Sequence, residues 1–121
     1  MGLKHDDSNT TIHDLLAETQ VFLKERDWEK YHNHKDLAES ICIEAAELLQ
    51  LFQWLSTAEV EQLFGDKAKM AMVKEELADV MIYCLSMANA LKIDLSEAVL
   101  EKLQSNRKKY PADLYFGKAH L

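Results

Sequence analysis

Four acidic residues with matching spacing occur in two apolar segments of the sequence. Glu44 and Glu47 lie three positions apart in ICIEAAELLQLFQWL, and Glu76 and Asp79 repeat that spacing in KEELADVMIYCL. Side chains three and four positions apart lie on one face of an α-helix. The pattern therefore predicts two neighbouring helices, each with a pair of carboxylates on one face.

These acids have no basic counterpart nearby in the sequence. No lysine or arginine lies between Glu39 and Leu55, or between Lys74 and Leu91. Unpaired charge near a core is costly, so such groups become neutral or bind a cation. Hard divalent cations such as Mg²⁺ favour oxygen ligands and complete their coordination with water and substrate phosphates. The two pairs predict a Mg²⁺ site, whereas a single Glu-x-x-Glu pair is usually a solvated helix face.

The composition indicates one mostly helical domain over residues 1–121. The sequence is 48% hydrophobic and has 3 glycines and 1 proline, whereas an all-β protein would need more turn residues. We expect Asn9 or Thr10 to cap the first helix, Asp36 to cap the second, and Pro111 to end the last. Hydrophobic periodicity predicts four long helices, at about 10–26, 36–55, 67–91 and 94–109.

Shorter segments link these helices. WEKYHNHK is predicted to be a loop or a short helical turn, residues 56–65 a short helix or connector, and the polar residues 1–8 disordered. The predicted fold is an all-α four-helix bundle. The second and third helices are apolar over a wide arc, so we expect another copy of the chain to cover part of them.

Charge and hydropathy argue against nucleic-acid and membrane partners. The net charge of −7 disfavours a general nucleic-acid binder, which needs a basic face. No apolar run reaches the roughly 18 residues that a membrane span needs. Cys42 and Cys84 lie in apolar helical patterns and are predicted to be buried free thiols, which fits a reducing compartment. We expect a cytoplasmic protein without a nucleic-acid or membrane partner.

A family resemblance extends over roughly residues 12–112. The acid pairs read Glu44-Ala-Ala-Glu47 and Glu76-Leu-Ala-Asp79, with 28 residues between them. Together with RDWEKYH, ELLQLFQW, DLSEAV and KLQSNRKKYP, this arrangement resembles the all-α nucleoside triphosphate pyrophosphohydrolases, the MazG-like family. Within that family it is most similar to the small single-domain type related to dCTP pyrophosphatase.

The resemblance implies Mg²⁺-dependent hydrolysis of a (deoxy)nucleoside triphosphate to a monophosphate and pyrophosphate, as part of dNTP house-cleaning. Mn²⁺ is the expected substitute metal. The resemblance also implies a homo-oligomer, a dimer or a dimer of dimers, with sites built between protomers. Glu47 and Glu44 would then be catalytic, and four residues would bind the metal: Glu44, Glu47, Glu76 and Asp79.

The same resemblance implies a nucleotide site formed by aromatic and phosphate-binding residues: Trp28, Trp54, Tyr83, Lys102, Asn106, Lys109 and Tyr110. A nucleobase gains ~1–3 kcal/mol from an aromatic stack. The alternatives are ordinary core packing for the aromatic residues and a favourable helix C-terminus for the lysines. His32 lies in a matching segment. Thr19 stands where the dCTP-preferring relatives have a base-holding histidine, so the base preference stays open.

Two other classes of function are alternatives. A di-iron carboxylate bundle needs two Glu-x-x-His pairs, and this sequence has one, Glu29 to His32, outside the long helices. A non-catalytic helical interaction module would use its acids to bind a basic partner. The two tryptophans and the NRKKYP segment argue against that module.

Overall fold

The computed structural model describes residues 4–119, and all regular structure in that range is helical. This confirms the all-α fold class. A 3₁₀ turn, Glu29–Tyr31, follows the first helix. The six α-helices are α1 Ile12–Glu25, α2 His34–Gln50, α3 Thr57–Leu63, α4 Lys67–Leu91, α5 Leu95–Lys109 and α6 Ala112–Tyr115.

The start of α1 differs from the prediction because a later residue provides the better cap. Thr11 accepts a hydrogen bond from the Asp14 N–H at 3.1 Å, and the Asp14 carboxylate accepts one from the Thr11 N–H at 2.9 Å. This reciprocal capping box satisfies two N–H groups that a helix leaves free. The Asn9 side chain instead accepts a hydrogen bond from the Asp6 N–H at 2.9 Å and closes a turn. Residues 6–9 thus form a hydrogen-bonded turn, and residues 1–3 lie outside the described range.

α2 begins and ends earlier than predicted. Asn33, not Asp36, is its N-cap, and it accepts a hydrogen bond from the Asp36 N–H at 2.9 Å. The helix ends at Gln50, and the backbone is extended at Ser56, the N-cap of α3, with φ −73° and ψ 166°. The chain must leave helical geometry before that residue. It does so through turns at 51–54.

The remaining helices follow the prediction closely. α4 has the predicted bounds, and α5 begins one residue after its N-cap Asp94, which accepts from the Glu97 N–H at 3.0 Å. The short helix predicted in 56–65 is α3, and the 3₁₀ turn lies in WEKYHNHK. α6 was not predicted. Pro111 ends α5 but is also compatible with the start of a helix, since proline has no N–H and the first N–H groups of a helix have no intrahelical partner in any case.

The chain divides into two compact units, one up to Leu91 and one from Lys92 onward. In the first unit α4 is the central helix, and it packs most extensively against α2 and also against α1. The ring of His32, just before α2, lies 6.2 Å from the ring of Tyr83, late in α4. Further along α2, Glu47 meets Glu76, earlier in α4. The two helices are therefore antiparallel.

The first unit has a small core and large exposed apolar side chains. Its buried hydrophobic residues are Leu23, Leu37, Leu63, Leu85 and Ala88. Ile43 and Leu77, from α2 and α4, are 58% and 56% exposed. The prediction of two buried thiols is wrong: Cys42 is exposed and Cys84 is half-buried, both as free thiols. Cys42 is exposed because it lies off the α2 face, marked by Leu37, that packs inward.

Among residues 4–119, no helix combines the length and the apolar character that a membrane crossing requires.

Candidate functional site

Three of the four predicted acids meet between α2 and α4. Glu44, Glu47 and Glu76 each present a carboxylate oxygen that lies within 4.8 Å of the other two. The i, i+3 spacing places Glu44 and Glu47 on one face of α2. Antiparallel packing then brings Glu76 of α4 opposite this pair. We call these three residues the acidic cluster.

The acidic cluster is only partly accessible to water. Glu44 and Glu76 are half-buried, whereas Glu47 is exposed. One carboxylate oxygen of Glu44 and one of Glu76 are buried without a hydrogen-bond partner among the residues described. The ion pairs formed within residues 4–119 all involve other acids. Buried polar atoms normally have a hydrogen-bonding partner. These two oxygens are therefore suited to binding a group, such as a cation, that the polypeptide does not supply.

The environment raises the pKa of both half-buried glutamates. For Glu44 the main cause is desolvation, followed by the neighbouring carboxylate of Glu47 and then the charges of Asp79 and Glu76. For Glu76 desolvation again comes first, followed by Glu47 and Asp79. Each effect disfavours the charged form of the carboxyl group. A bound proton or a bound cation would relieve the repulsion.

Asp79 lies beside the acidic cluster without joining its closest group of oxygens. It is half-buried on α4, three residues after Glu76. Its charge raises the pKa of both Glu44 and Glu76, so it is near enough to interact with them. The structure thus brings three of the predicted metal ligands together and places the fourth close by.

The donor set of the acidic cluster suits a hard divalent cation. Carboxylate oxygens are the ligands that Mg²⁺ and Ca²⁺ prefer. Two oxygens on opposite sides of a Mg²⁺ ion are about 4.2 Å apart, since each bond is ~2.1 Å long. The 4.8 Å limit on the spacing of the cluster's oxygens is close to that value. Small side-chain rotations would therefore complete such a site, and the residues present fit a divalent metal.

The aromatic residues predicted to hold a base lie in different places. Trp28 is 45% exposed, and its ring lies edge-on to Phe22 at 5.8 Å. Tyr83 is half-buried on α4, one turn beyond Asp79. Trp54 is 86% exposed in the turn after α2.

Trp54 and Tyr83 lie toward opposite ends of α4. Leu55, next to Trp54, lines a cavity with Met72 in the first half of α4. About 16 Å of helix separates Met72 from Tyr83, at 1.5 Å per residue. Whether the aromatic residues share one base pocket stays a prediction.

The predicted phosphate-binding residues belong to the second unit. Lys102, Asn106 and Lys109 lie at i, i+4 and i+7 on α5, and therefore on one face. The Nζ of Lys109 is 5.3 Å from the ring centre of Tyr110, and that ring packs edge-on against Tyr115 at 5.2 Å. Asn106 is half-buried and Lys102 is exposed. Their role toward a nucleotide stays a prediction.

The structure also contains a polar pocket that the sequence did not predict. Gln20, Glu29, Ser86 and Asn89 line it together with His32. These residues come from three different elements and have no shared spacing, so no sequence pattern would have grouped them. Of the five, only His32 and Glu29 had drawn attention, through the WEKYH segment and its Glu-x-x-His spacing.

Comparisons with known proteins agree with this architecture. A sequence model of the MazG-like family matches residues 39–117, which include every acid of the site. The chain is 38% identical over 109 residues to dCTP pyrophosphatase 1 of Rattus norvegicus, covering 90% of this chain and 64% of the relative. It is 38% identical over 104 residues to dCTP pyrophosphatase 1 of Homo sapiens, covering 86% and 61%. The chain therefore spans less than two thirds of the length of these relatives.

A solved structure is similar over nearly its whole length. The crystal structure of a pyrophosphatase from Archaeoglobus fulgidus superposes with a TM-score of 0.77 at 39% identity, covering 91% of this chain and 99% of that one. The family match includes both acid pairs and more than half of the sequence. On this evidence, the chain belongs to the MazG-like family.

Proposed function

We propose that this protein is a divalent-metal-dependent nucleoside triphosphate pyrophosphohydrolase, with Mg²⁺ as its metal and Mn²⁺ as a substitute. The observation that carries the proposal is the acidic cluster, with one buried, unpartnered oxygen on Glu44 and another on Glu76. The names of the relatives, dCTP pyrophosphatase 1 and pyrophosphatase, support this class of reaction. The products would be a nucleoside monophosphate and pyrophosphate.

Each acid has a role that follows from its environment. Glu44 and Glu76 are half-buried with raised pKa values, so they hold the cation in competition with protons. Asp79 adds negative charge beside them and is the fourth proposed ligand. Glu47 is exposed and is the residue best placed to orient the attacking water and accept its proton. A bound Mg²⁺ would offset the charge of the triphosphate and stabilise the charge that develops as the α–β bond breaks.

The reaction balances without any further reactant. One water molecule adds across the bond between the α and β phosphates, which leaves a monophosphate and pyrophosphate. Glu47 takes the proton that the water loses, with Glu44 as its partner in the catalytic pair.

Each of the two units has its own proposed nucleotide contacts. Trp28, Trp54 and Tyr83 are the proposed base contacts, because stacking on an aromatic ring tolerates any base. In the second unit, the proposed phosphate contacts are Lys102, Asn106, Lys109 and Tyr110. The relatives' names make dCTP and other deoxynucleoside triphosphates the first candidates, and house-cleaning of dNTP pools the first candidate role.

We further propose that the working form is a homodimer or a dimer of dimers. Ile43, Leu49 and Leu77 are each more than half exposed in the isolated chain. Association with a second copy would remove such surface from water at about 25 cal/mol per Å². Obligate interfaces in homodimers resemble a domain core cut in half.

A panel of canonical and modified nucleoside triphosphates tests the proposed activity. Each is incubated with Mg²⁺, with Mn²⁺ or with EDTA, and the products are separated by chromatography. We expect monophosphate and pyrophosphate with either metal and no turnover in EDTA. Formation of diphosphate and orthophosphate, or turnover that survives EDTA, would contradict the proposal.

A further inference from the structure

The chain makes a tight turn after α5, within the second unit. The Tyr110 N–H donates a hydrogen bond to the Asn106 carbonyl oxygen at 2.7 Å, so the Tyr110 backbone stays attached to the last turn of α5. Tyr110 precedes Pro111, which disfavours helical geometry at this position, and its backbone has φ −124° and ψ 70°. The Tyr110 side chain therefore starts from a fixed point at the end of the α5 face that carries the proposed phosphate contacts.

α6 then folds the chain back toward Tyr110. It consists of four residues, Ala112–Tyr115, and the N–H groups of Leu114 and Tyr115 donate to the Pro111 carbonyl oxygen at 3.1 and 3.0 Å. A helix of one turn is marginal in water, so α6 needs side-chain contacts to persist. The ring of Tyr115 makes such a contact, because its centre lies 5.2 Å from that of the Tyr110 ring.

Tyr115 and Tyr110 form an edge-on aromatic pair. Their ring planes are inclined by 87°, an arrangement in which the positive edge of one ring meets the negative face of the other. Tyr115 is half-buried, whereas its neighbours Leu114 and Phe116 are 53% and 87% exposed. Of the three large side chains at 114–116, that of Tyr115 is therefore the one most withdrawn from water.

The ring of Tyr110 also has a charged neighbour. The Nζ of Lys109 lies 5.3 Å from the centre of this ring, which is within the range of cation–π attraction. Tyr110 is 45% exposed, so solvent leaves its ring room to change rotamer, and each protein contact has a large share in fixing it. Contact with Tyr115 therefore restricts the Tyr110 ring and, through that ring, the position of the Lys109 ammonium group.

We propose that Tyr115 is a positioning residue, which fixes the Tyr110 ring and thereby places Lys109 and Tyr110 to contact the phosphates of the nucleotide. The kinetic part of this inference rests on the proposed function, in which these two residues bind phosphate. The arrangement of the two rings is independent of any activity. A purely structural tyrosine would stabilise this end of the chain without affecting how Lys109 and Tyr110 meet a substrate.

Substitutions at position 115 test the kinetic part. Tyr115→Phe keeps the ring and loses only the hydroxyl, whereas Tyr115→Leu keeps an apolar side chain but loses the aromatic edge. We expect Tyr115→Leu to raise KM by about 3- to 10-fold, the range that corresponds to the usual strength of an aromatic pair. kcat should change less than about twofold, since a phosphate contact made equally in the bound substrate and in the transition state alters KM alone. Tyr115→Phe should keep the parent's KM.

A neighbouring substitution and a double-mutant cycle are the controls. Phe116→Leu, at the exposed side chain next to Tyr115, should leave KM unchanged. In a Tyr110→Ala background, Tyr115→Leu should alter KM less than about twofold, because the ring that Tyr115 positions is gone. An equal rise of KM in both backgrounds, or equal rises in Tyr115→Phe and Tyr115→Leu, would overturn the inference.

Crystal structures of the parent and of the two variants at position 115 test the positioning directly. We expect the Tyr110 ring to occupy one position in the parent and in Tyr115→Phe, and to be displaced or disordered in Tyr115→Leu. An unmoved Tyr110 ring in Tyr115→Leu would overturn the inference, as would a lower melting temperature with unchanged KM, which indicates a purely structural residue. If Tyr115→Leu fails to fold, Tyr115→Met replaces it in every experiment with the same expected results, because methionine also fills space without a ring.

The two proposals fail separately. If the parent hydrolyses no nucleotide, the proposed function falls, and the crystal structures alone decide whether Tyr115 positions Tyr110. If the parent is active and Tyr115→Leu keeps its KM, the proposed function stands and the role of Tyr115 falls.

Discussion

Glu47 of α2 and Glu76 of α4 present carboxylate oxygens within 4.8 Å of each other, with Glu44 completing the group. Like charges this close repel, and no ion pair within residues 4–119 neutralises them. Bound protons or a bound cation would therefore stabilise the arrangement. At neutral pH and in the presence of Mg²⁺, the cation is the better partner for hard oxygen donors.

Removing one charge from the acidic cluster should abolish most of the activity. Glu47→Gln and Glu76→Gln keep the side-chain shape, but each removes a proposed metal ligand. Glu47→Gln also removes the proposed base. We expect kcat/KM with Mg²⁺ to fall by at least ~100-fold, the usual cost of losing such transition-state stabilisation. Steady-state assays of pyrophosphate release measure the effect.

Glu75→Gln is the matched control for these variants. Glu75 precedes Glu76 on α4, is exposed, and is not part of the acidic cluster. Its replacement should change kcat/KM less than about threefold, since Glu75 is only the smallest of the causes that raise the pKa of Glu76 and does not share the cluster's oxygens. Equal losses in Glu75→Gln and Glu76→Gln would mean that net charge, rather than ligation, governs the activity.

The same Glu76→Gln variant should be more stable than the parent when metal is absent. Desolvation and the charges of Glu47 and Asp79 raise the pKa of Glu76 in the folded state. Between the unfolded pKa, about 4.3, and the raised folded value, the folded protein holds more protons. The folded state therefore loses stability as pH rises through this window, and the loss is complete above the folded pKa.

Thermal melts in EDTA test whether Glu76→Gln is more stable than the parent. The melting temperature of Glu76→Gln should exceed that of the parent at pH 8, and the gap should shrink as pH falls toward 4.5. Mg²⁺ should raise the melting temperature of the parent more than that of the variant. A variant that melts below the parent in EDTA at pH 8 would indicate a carboxylate satisfied by hydrogen bonds, which is a structural role.

Metal binding should release protons. The raised pKa values of Glu44 and Glu76 mean that part of their population is protonated at pH values where an ordinary glutamate is fully charged. A cation must displace those protons. Mg²⁺ affinity should thus rise with pH through the raised pKa values and level off above them. Calorimetric titrations near pH 5.5, in two buffers with different ionisation enthalpies, give the number of protons released. Identical heats in the two buffers would contradict this expectation.

The spacing of the acids was predictable because it depends on helix geometry alone. The i, i+3 pairs and the bounds of α4 follow from local sequence: Asp66 accepts a hydrogen bond from the Lys69 N–H at 3.1 Å at one end, and Lys92 leaves the helix with φ 56° at the other. The register of α2 against α4 depends on long-range packing. The sequence therefore could not say that Glu76, rather than Asp79, meets the Glu44–Glu47 pair most closely.

Competition between neighbouring caps explains the errors at helix ends. Asp36 is an acceptable N-cap, but Asn33 is another and begins α2 first. Ser56 caps α3 with an extended backbone, so no helix continues through it, but α2 already ends at Gln50, six residues earlier. Single-residue preferences are similar in size for such candidates, so sequence alone does not rank them.

A dimer or a dimer of dimers should form in solution. One chain has a mass of 13.9 kDa, so light scattering should give about two or four times that value at micromolar concentration.

Leu77→Glu places a charge on an α4 side chain that is 56% exposed in the isolated chain. If association covers this surface, the variant should shift the mass toward the monomer, because an unpaired charge in an interface is costly. Lys67→Glu, at the exposed start of α4, controls for net charge. A parent protein that stays monomeric would contradict the assembly.

Replacing Trp54 should weaken substrate binding without destabilising the fold of a single chain. Its side chain is 86% exposed, so Trp54→Ala removes little buried surface and should change the free energy of unfolding by less than ~0.5 kcal/mol. If Trp54 stacks on the base, the loss of ~1–3 kcal/mol of stacking should raise KM by about 10-fold or more, with kcat affected less. Trp28→Ala differs, because Trp28 packs against Phe22 and its removal should also lower the melting temperature.

The oligomeric state of Trp54→Ala separates a base contact from an interface contact. Phe64→Ala, at a side chain that is 69% exposed after α3, is the control and should leave KM and mass unchanged. A base contact predicts that Trp54→Ala keeps the parent's mass while its KM rises, and that the rise is similar for purine and pyrimidine substrates, since every base offers a face for stacking. A variant that dissociates at the parent's working concentration, and recovers the parent's KM when concentrated, would instead assign Trp54 to the contact between copies of the chain.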